Sequence, residues 1–166
     1  VEIGDAQQIL DIGTGTGLLA LIAAQRNSEA MIDAVEIDDA SAEQAAENVA
    51  ASPWADRIRV HRMDARRMKA SEPFDLIICN PPFYTGEMSS DDERVGVAKH
   101  AGGLAFSDLV EVVDRLLAGS GRLNVILPKN RAQEFLNDCG QIGLNRIREC
   151  DVRYVASKPP KRVLLE

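Results

Sequence analysis

The chain predicts an α/β fold, a doubly wound, mostly parallel sheet of about seven strands. Three observations carry that expectation. Short apolar runs alternate with helical patterns along all 166 residues, as they do when both faces of a parallel sheet are covered. A glycine-rich turn, Gly13 to Gly17, joins the first apolar run to the first helical pattern, the place where such a sheet receives nucleotide-like ligands. Phe74 to Cys79 is nearly all apolar, the pattern of a central strand.

Taken in order, Ile9 to Ile12 is a short buried strand and Leu18 to Arg26 a helix. Met31 to Ile37 is the second strand, and an alanine-rich helix runs from Ala40 to Ala51. Ser52-Pro53 stops it, because proline disfavours helical geometry in the residue before it. Arg57 to Arg62 alternates polar and apolar side chains, as a strand nearer the edge does. Asn80 to Gly103 has neither period and is rich in Gly, Ser and Asp, so it reads as a long loop, functional or mobile. Phe106 to Leu117 is an amphipathic helix, Arg122 to Leu127 a strand, and Asn130 to Cys139 a helix stopped by Gly140. Asn145 to Val152 and Arg162 to Leu165 can pair as terminal strands. The chain reads as one domain over residues 1–166. It opens on Val1 with a strand within the first ten positions, an abrupt start that suggests a fragment or trimmed domain.

Hydrophobic residues make up 45% and charged residues 27%, the balance of an ordinary globular protein. No apolar run is long enough to span a bilayer and no secretory leader opens the chain, so the expected compartment is the cytoplasm, with no membrane partner. Cys79, Cys139 and Cys150 form no CxxC pair and read as small buried hydrophobes; no metal site is expected. The net charge of −7 is unfavourable for a nucleic-acid partner, but local patches matter more than totals. Arg57, Arg59, Arg62, Arg66, Arg67 and Lys69 form one basic group, and Lys158, Lys161 and Arg162 another. Either can be a solvated surface.

The turn Asp11-Ile12-Gly13-Thr14-Gly15-Thr16-Gly17 lets the backbone bend tightly and approach a ligand closely. Its spacing is GxGxG, with Leu18 where a dinucleotide fold places a third glycine. Asp11 would repel a pyrophosphate and suits an ammonium such as that of a methionyl group. Glu36 ends the next strand about twenty residues on, where a ribose-diol acceptor belongs. At these residues the chain resembles the class I S-adenosylmethionine methyltransferases, whose Rossmann-like fold is then expected here. The resemblance implies that Asp11, Gly13, Gly15 and Gly17 cradle the methionine part and Glu36 holds the ribose. It also implies that Asp64-Ala65 reach the adenine, although Asp64 read alone can simply cap a turn.

Asn80-Pro81-Pro82-Phe83 follows the central strand. An aromatic amine or amide nitrogen is a poor nucleophile because its lone pair is delocalised. Two acceptors, the Asn80 side-chain oxygen and the Pro81 carbonyl, can hold its hydrogens and pull the nitrogen toward pyramidal geometry. Consecutive prolines fix φ and keep that carbonyl aimed, and Phe83 offers a face on which a planar acceptor stacks. The four are the candidate catalytic residues, with Asn80 also beside the cofactor.

Ile9–Gly17, Ala34–Asp38, Ser52-Pro53-Trp54-Ala55, Asp75–Tyr84 and Arg162–Glu166 together are similar to the bacterial tRNA(Val) adenine-N6 methyltransferases. The resemblance implies S-adenosyl-L-methionine as cofactor, S-adenosyl-L-homocysteine as product, and the N6 amine of a tRNA adenine as acceptor. Members also have an N-terminal segment helping to close the cofactor site, and they continue beyond the position of Glu166, so the resemblance implies a catalytic domain truncated at both ends. The base must leave its stack to react; Tyr84 can add stacking, and Lys99 and His100 can meet phosphates. Trp54 reads as a packing residue. A monomer is expected. The same tetrapeptide also fits guanine-N2 ribosomal RNA, adenine DNA and protein glutamine-amide acceptors. A non-catalytic cofactor- or RNA-binding module, and a nicotinamide oxidoreductase ranked last, are the readings from other classes.

Overall fold

The computed structural model describes residues 2–81 and 104–166. Its framework is a seven-stranded sheet. In chain order the strands are β1 (Gln8–Ile12), β2 (Met31–Glu36), β3 (Ile58–Arg62), β4 (Phe74–Cys79), β5 (Leu117–Pro128), β6 (Glu149–Val152) and β7 (Arg162–Leu165). They lie side by side in the order β3-β2-β1-β4-β5-β7-β6. The first five are parallel, whereas β7 runs antiparallel to both β5 and β6. The order reverses at β1 and β4, opening the crevice in which doubly wound sheets bind ligands.

Helices α1 (Leu18–Arg26) and α2 (Asp39–Ala50) follow β1 and β2; α3 (Phe106–Leu116) and α4 (Ala132–Gln141) bracket β5. Ile9, Ile32, Leu76 and Ile78 pack with Ala20, Ala23, Ala24 and Val49 on one face. Leu10, Ile12, Ile77 and Cys79 pack with Leu109, Val112, Val113 and Phe135 on the other. Neighbouring residues of one strand thus serve opposite cores, so β4 shows no polar alternation. Trp54 packs against the first core, as its sequence setting suggests.

Four expectations need correction. Gly140, expected to stop a helix, lies inside α4, which runs on to Gln141. The strand expected from Arg122 begins at Leu117, because Phe74 pairs with Leu117 across a register shift that takes up the extra residues. Gly121 makes this possible: a Cβ there would lie 2.8 Å from Leu117 and 2.9 Å from the Phe74 carbonyl. The strand expected from Asn145 is confined to Glu149–Val152. Cys79 and Cys139 are buried but Cys150 is exposed, since it lies on the outermost strand.

Arg57 also leaves the surface group in which its sequence position placed it. Its guanidinium donates to the carbonyls of Ala24, Asn27 and Ala30, each at 2.9 Å, closing the end of α1. The side chain of Asn27 completes that corner by donating to Gly4 and Ala6 carbonyls and accepting from Glu29 and Ala30 amides.

Candidate active site

Parallel pairing in register brings the predicted motifs onto one edge. Ile12 lies opposite Val35 on one side and Cys79 on the other, so Gly13 is flanked by Glu36 and Asn80. Glu36 in turn lies opposite Arg62, two residues before Asp64. Asp64, Glu36, Gly13 and Asn80 therefore stand at the carboxyl ends of β3, β2, β1 and β4, four adjacent strands.

The glycine turn is held from below. Gly13 and Thr14 N–H groups donate to the Val35 carbonyl at 2.9 and 3.0 Å. Gly13, Gly15 and Gly17 have φ of 69°, 58° and 85°, the left-handed region that side chains avoid. A Cβ on Gly13 or Gly15 would meet nothing within 4 Å, so the turn faces open space, whereas one on Gly17 would lie 3.4 Å from Ala45 of α2. Asn48 of α2 donates to the Thr16 carbonyl at 2.9 Å.

Asp11 lies fully buried beneath this turn. The Thr14 hydroxyl donates to its Oδ2 at 2.6 Å, while Oδ1 has no partner among the described residues. Burial pushes the carboxyl up to about 6; the Thr14 hydroxyl and, after it, the Ala20 backbone N–H work against that, and the nearby Glu36 carboxylate adds a small upward push. A buried, unpartnered carboxylate oxygen fits a ligand cation. Glu36 is half-buried and accepts the Gly15 N–H at 2.8 Å, the Ile37 N–H at 2.8 Å and the Asp38 N–H at 3.0 Å. A buried unpartnered carboxylate oxygen, a second carboxylate beside it and an open glycine cradle fit the chemistry of S-adenosylmethionine, which carries an ammonium group and a ribose diol.

Asp64 is engaged elsewhere in this structure. It caps the short turn Ala65–Arg67 through the Arg66 N–H at 2.9 Å and takes the Arg66 guanidinium at 2.6 Å. That hydrogen-bonded guanidinium holds its carboxyl below the usual carboxylate range. Ala65 is buried beside it. Asn80 is exposed and its side chain makes no hydrogen bond to a described residue, whereas Pro81 is buried. Pro82, Phe83, Tyr84, Lys99 and His100 lie outside the described residues. Burial, with a smaller push from Asp11, holds the Cys79 thiol well above its ordinary value, so it stays a neutral thiol and a poor nucleophile. Among the described residues no cluster of three or more His, Cys, Asp or Glu could hold a metal.

Sequence reasoning missed three residues. Thr14 is buried against Asp11; its place three residues after a carboxylate, inside the turn, was the available signal. Ile37, 45% exposed, is a large apolar group at this edge, and it read as the last residue of a strand. Asn48 gave no signal, since only the packing of α2 places it near the turn. Asp38, by contrast, is taken up in the fold: it caps α2 through the Ser41 N–H at 2.8 Å.

The model of the methyltransferase small domain family matches residues 2–139. Among curated relatives, tRNA1(Val) (adenine(37)-N6)-methyltransferases from Dyadobacter fermentans and Trichodesmium erythraeum are 38% and 40% identical. They align over 99% and 100% of this chain, which covers 68% and 71% of their own lengths. The counterpart from Aeromonas hydrophila is 40% identical over 98% of this chain and 69% of its own. Among solved structures, a ribosomal protein L11 methylase from Lactobacillus delbrueckii subsp. bulgaricus superposes with a TM-score of 0.68 at 17% identity, over 99% of this chain and 70% of that one. A TehB-like SAM-dependent methyltransferase from Corynebacterium glutamicum gives 0.64 at 16%, over 98% and 79%. At such identities the superpositions speak for the fold alone.

Proposed function

The chain belongs to the methyltransferase small domain family, among relatives named tRNA1(Val) (adenine(37)-N6)-methyltransferases, and on that premise we propose that it methylates the N6 amine of adenine 37 in tRNA1(Val). The observation that carries the amino acceptor is the place of Asn80: it is exposed, without a hydrogen bond to a described residue, on the strand end next to Gly13.

S-adenosylmethionine, when bound, supplies an electrophilic methyl group on a sulfonium. Asp11 and the turn hold the amino-acid end, Glu36 the ribose, and exposed Ile37 gives an apolar surface for the adenine. Asp64 serves that base while shared with Arg66. The Asn80 side-chain oxygen accepts one hydrogen of the substrate amine and the Pro81 carbonyl the other, which frees the nitrogen lone pair. Held this way by Asn80 and Pro81, the nitrogen would face the methyl group that S-adenosylmethionine supplies, and the proton shed on methylation would pass to water. Orientation and electrostatics carry the rate, with no protein nucleophile. Phe83 and Tyr84 stack on the extruded base, and Lys99 and His100 meet phosphates. The reading includes a cytoplasmic monomer.

The test is to incubate full-length protein with labelled S-adenosylmethionine and, in parallel, total tRNA, ribosomal RNA and a release factor. Label in tRNA, mapped to N6 of adenine 37, is expected. Label only in ribosomal RNA or only in protein would overturn the reading, and the net charge of −7 makes protein the stronger rival.

A further inference from the structure

We propose that the hairpin joining β6 to β7, residues 153–161, is an RNA-docking element that grips the substrate strand beside the methylated base; this rests on the RNA reading above. Topology puts it at the right edge. Val152 and Pro128 both lie opposite Arg162, so the hairpin leaves the sheet at the carboxyl end of β5. Cys79 lies opposite Val125, which places Asn80 level with Ile126, two residues below the hairpin base. At ~3.3 Å per residue and ~4.8 Å per strand, the base of the hairpin stands about 12 Å from the Asn80 backbone. One short stretch of RNA can touch both.

The chemistry of the hairpin departs from that of the rest of the chain. The protein carries 19 Lys and Arg against 26 Asp and Glu, yet Arg153, Lys158, Lys161 and Arg162 follow one another with no acid before Glu166. Among the described residues Arg153, Lys158 and Lys161 enter no ion pair, and all three are exposed. Beside them Tyr154 is 68% exposed and Val155 47%. Exposed aromatic and basic groups together are what an unpaired strand selects: a ring for a base, cations for phosphates.

The hairpin is also built to present them. Lys161 N–H donates to the Val152 carbonyl at 3.2 Å, Lys158 N–H to Val155 at 3.0 Å, and Lys129 N–H to Lys161 at 3.0 Å. Pro159 and Pro160 restrict φ in the returning arm. Lys129 is neutralised by Glu149 and Asp151, so the free positive charge is concentrated beyond the sheet. In the other basic group Arg57 closes α1, Arg62 faces Asp39 at 3.5 Å and Arg66 is held by Asp64 and Asp108. Arg59, Arg67 and Lys69 are exposed and enter no ion pair among the described residues, but no exposed aromatic among the described residues belongs to that group, so the hairpin alone joins free cations to an exposed ring.

Three variants, Tyr154→Ala, Tyr154→Phe and the double change Lys158→Ala/Lys161→Ala, test this in the full-length enzyme with unmodified tRNA1(Val) and with S-adenosylhomocysteine binding as a folding control. Tyr154→Ala is expected to raise the KM for tRNA by about 5- to 100-fold and Tyr154→Phe to restore it, as stacking requires. The double change should lower the slope of log affinity against log salt by about 1.4. S-adenosylhomocysteine affinity and kcat at saturating tRNA should stay within twofold. Wild-type KM and salt slope in all variants, with tRNA methylated normally, would overturn the docking role alone. A wild-type enzyme that methylates protein and no RNA would overturn the substrate reading and this inference with it.

Discussion

The Thr14 hydroxyl donates to one oxygen of Asp11 at 2.6 Å and leaves the other buried with no partner among the described residues. An unpaired carboxylate oxygen is costly inside a protein, and it persists where a ligand cation completes it. Asp11→Asn removes the charge and keeps the shape. Calorimetry should show S-adenosylhomocysteine affinity falling about 10- to 100-fold, the loss of one charge-assisted hydrogen bond. Thermal unfolding of the free variant at pH 7 should occur no lower than in the native chain. An unchanged affinity would remove Asp11 from the ammonium site.

The same residue predicts a pH dependence. The Asp11 carboxyl rises from 3.8 to about 6 in the folded state, so between those values the folded chain holds a proton that the unfolded chain has lost. Its contribution to stability therefore falls as pH rises through that window and is constant above it. In the proposed ammonium site only the ionised form of Asp11 serves, so cofactor affinity should climb about tenfold per pH unit up to about 6 and then level. Titration of binding between pH 4.5 and 7 checks this, and Asp11→Asn should flatten the curve.

Substitution in the turn should divide by backbone conformation. Gly13→Ala forces a Cβ onto a φ of 69° and sets a methyl group in the open cradle. It should cost about 1–2 kcal/mol of stability and weaken cofactor binding as well. Gly119→Ala, with nothing within 4 Å of the new carbon and no left-handed φ, should change neither. Denaturant titration paired with cofactor calorimetry separates the two effects.

Asn80→Ala should lower kcat at least about 100-fold while S-adenosylhomocysteine affinity stays within threefold. In the proposed role the side chain acts on the amine, and it makes no hydrogen bond to a described residue. Single-turnover kinetics with saturating tRNA measures it, and a native turnover would remove its role in positioning the amine.

Arg57→Ala should behave as a folding defect with no effect on RNA binding. Three carbonyls lose their donor, a loss of about 2–3 kcal/mol. The Tm should drop while the salt slope of tRNA binding stays native. A reduced slope with a native Tm would return Arg57 to the RNA-facing surface.

Much of this site was legible in the sequence because its chemistry is local. Asp11 and its three glycines are contiguous, and a GxGxG turn after an apolar strand already implies left-handed backbone and close ligand approach. Asn80 announced itself through its neighbours, since two prolines directly after a buried strand have few purely structural uses. Strand order and the contacts across it were not legible. Nothing along the chain states that Ile12 faces both Val35 and Cys79, and that pairing is what sets Gly13 between Glu36 and Asn80.

By itself, then, the sequence determined the alternation of strands and helices and the left-handed glycine turn after β1, and it supplied the roles proposed for that turn and for Asn80-Pro81-Pro82-Phe83, because each depends on residue types at short, fixed spacing. Tertiary structure alone decided that Arg57 ties down a helix, that Arg66 occupies Asp64, and that Thr14 satisfies only half of Asp11. It also decided that the cations near the C-terminus rise from the same edge as Asn80. Those outcomes depend on strand register and on burial, which join residues far apart in the chain and select among partners that composition leaves equivalent.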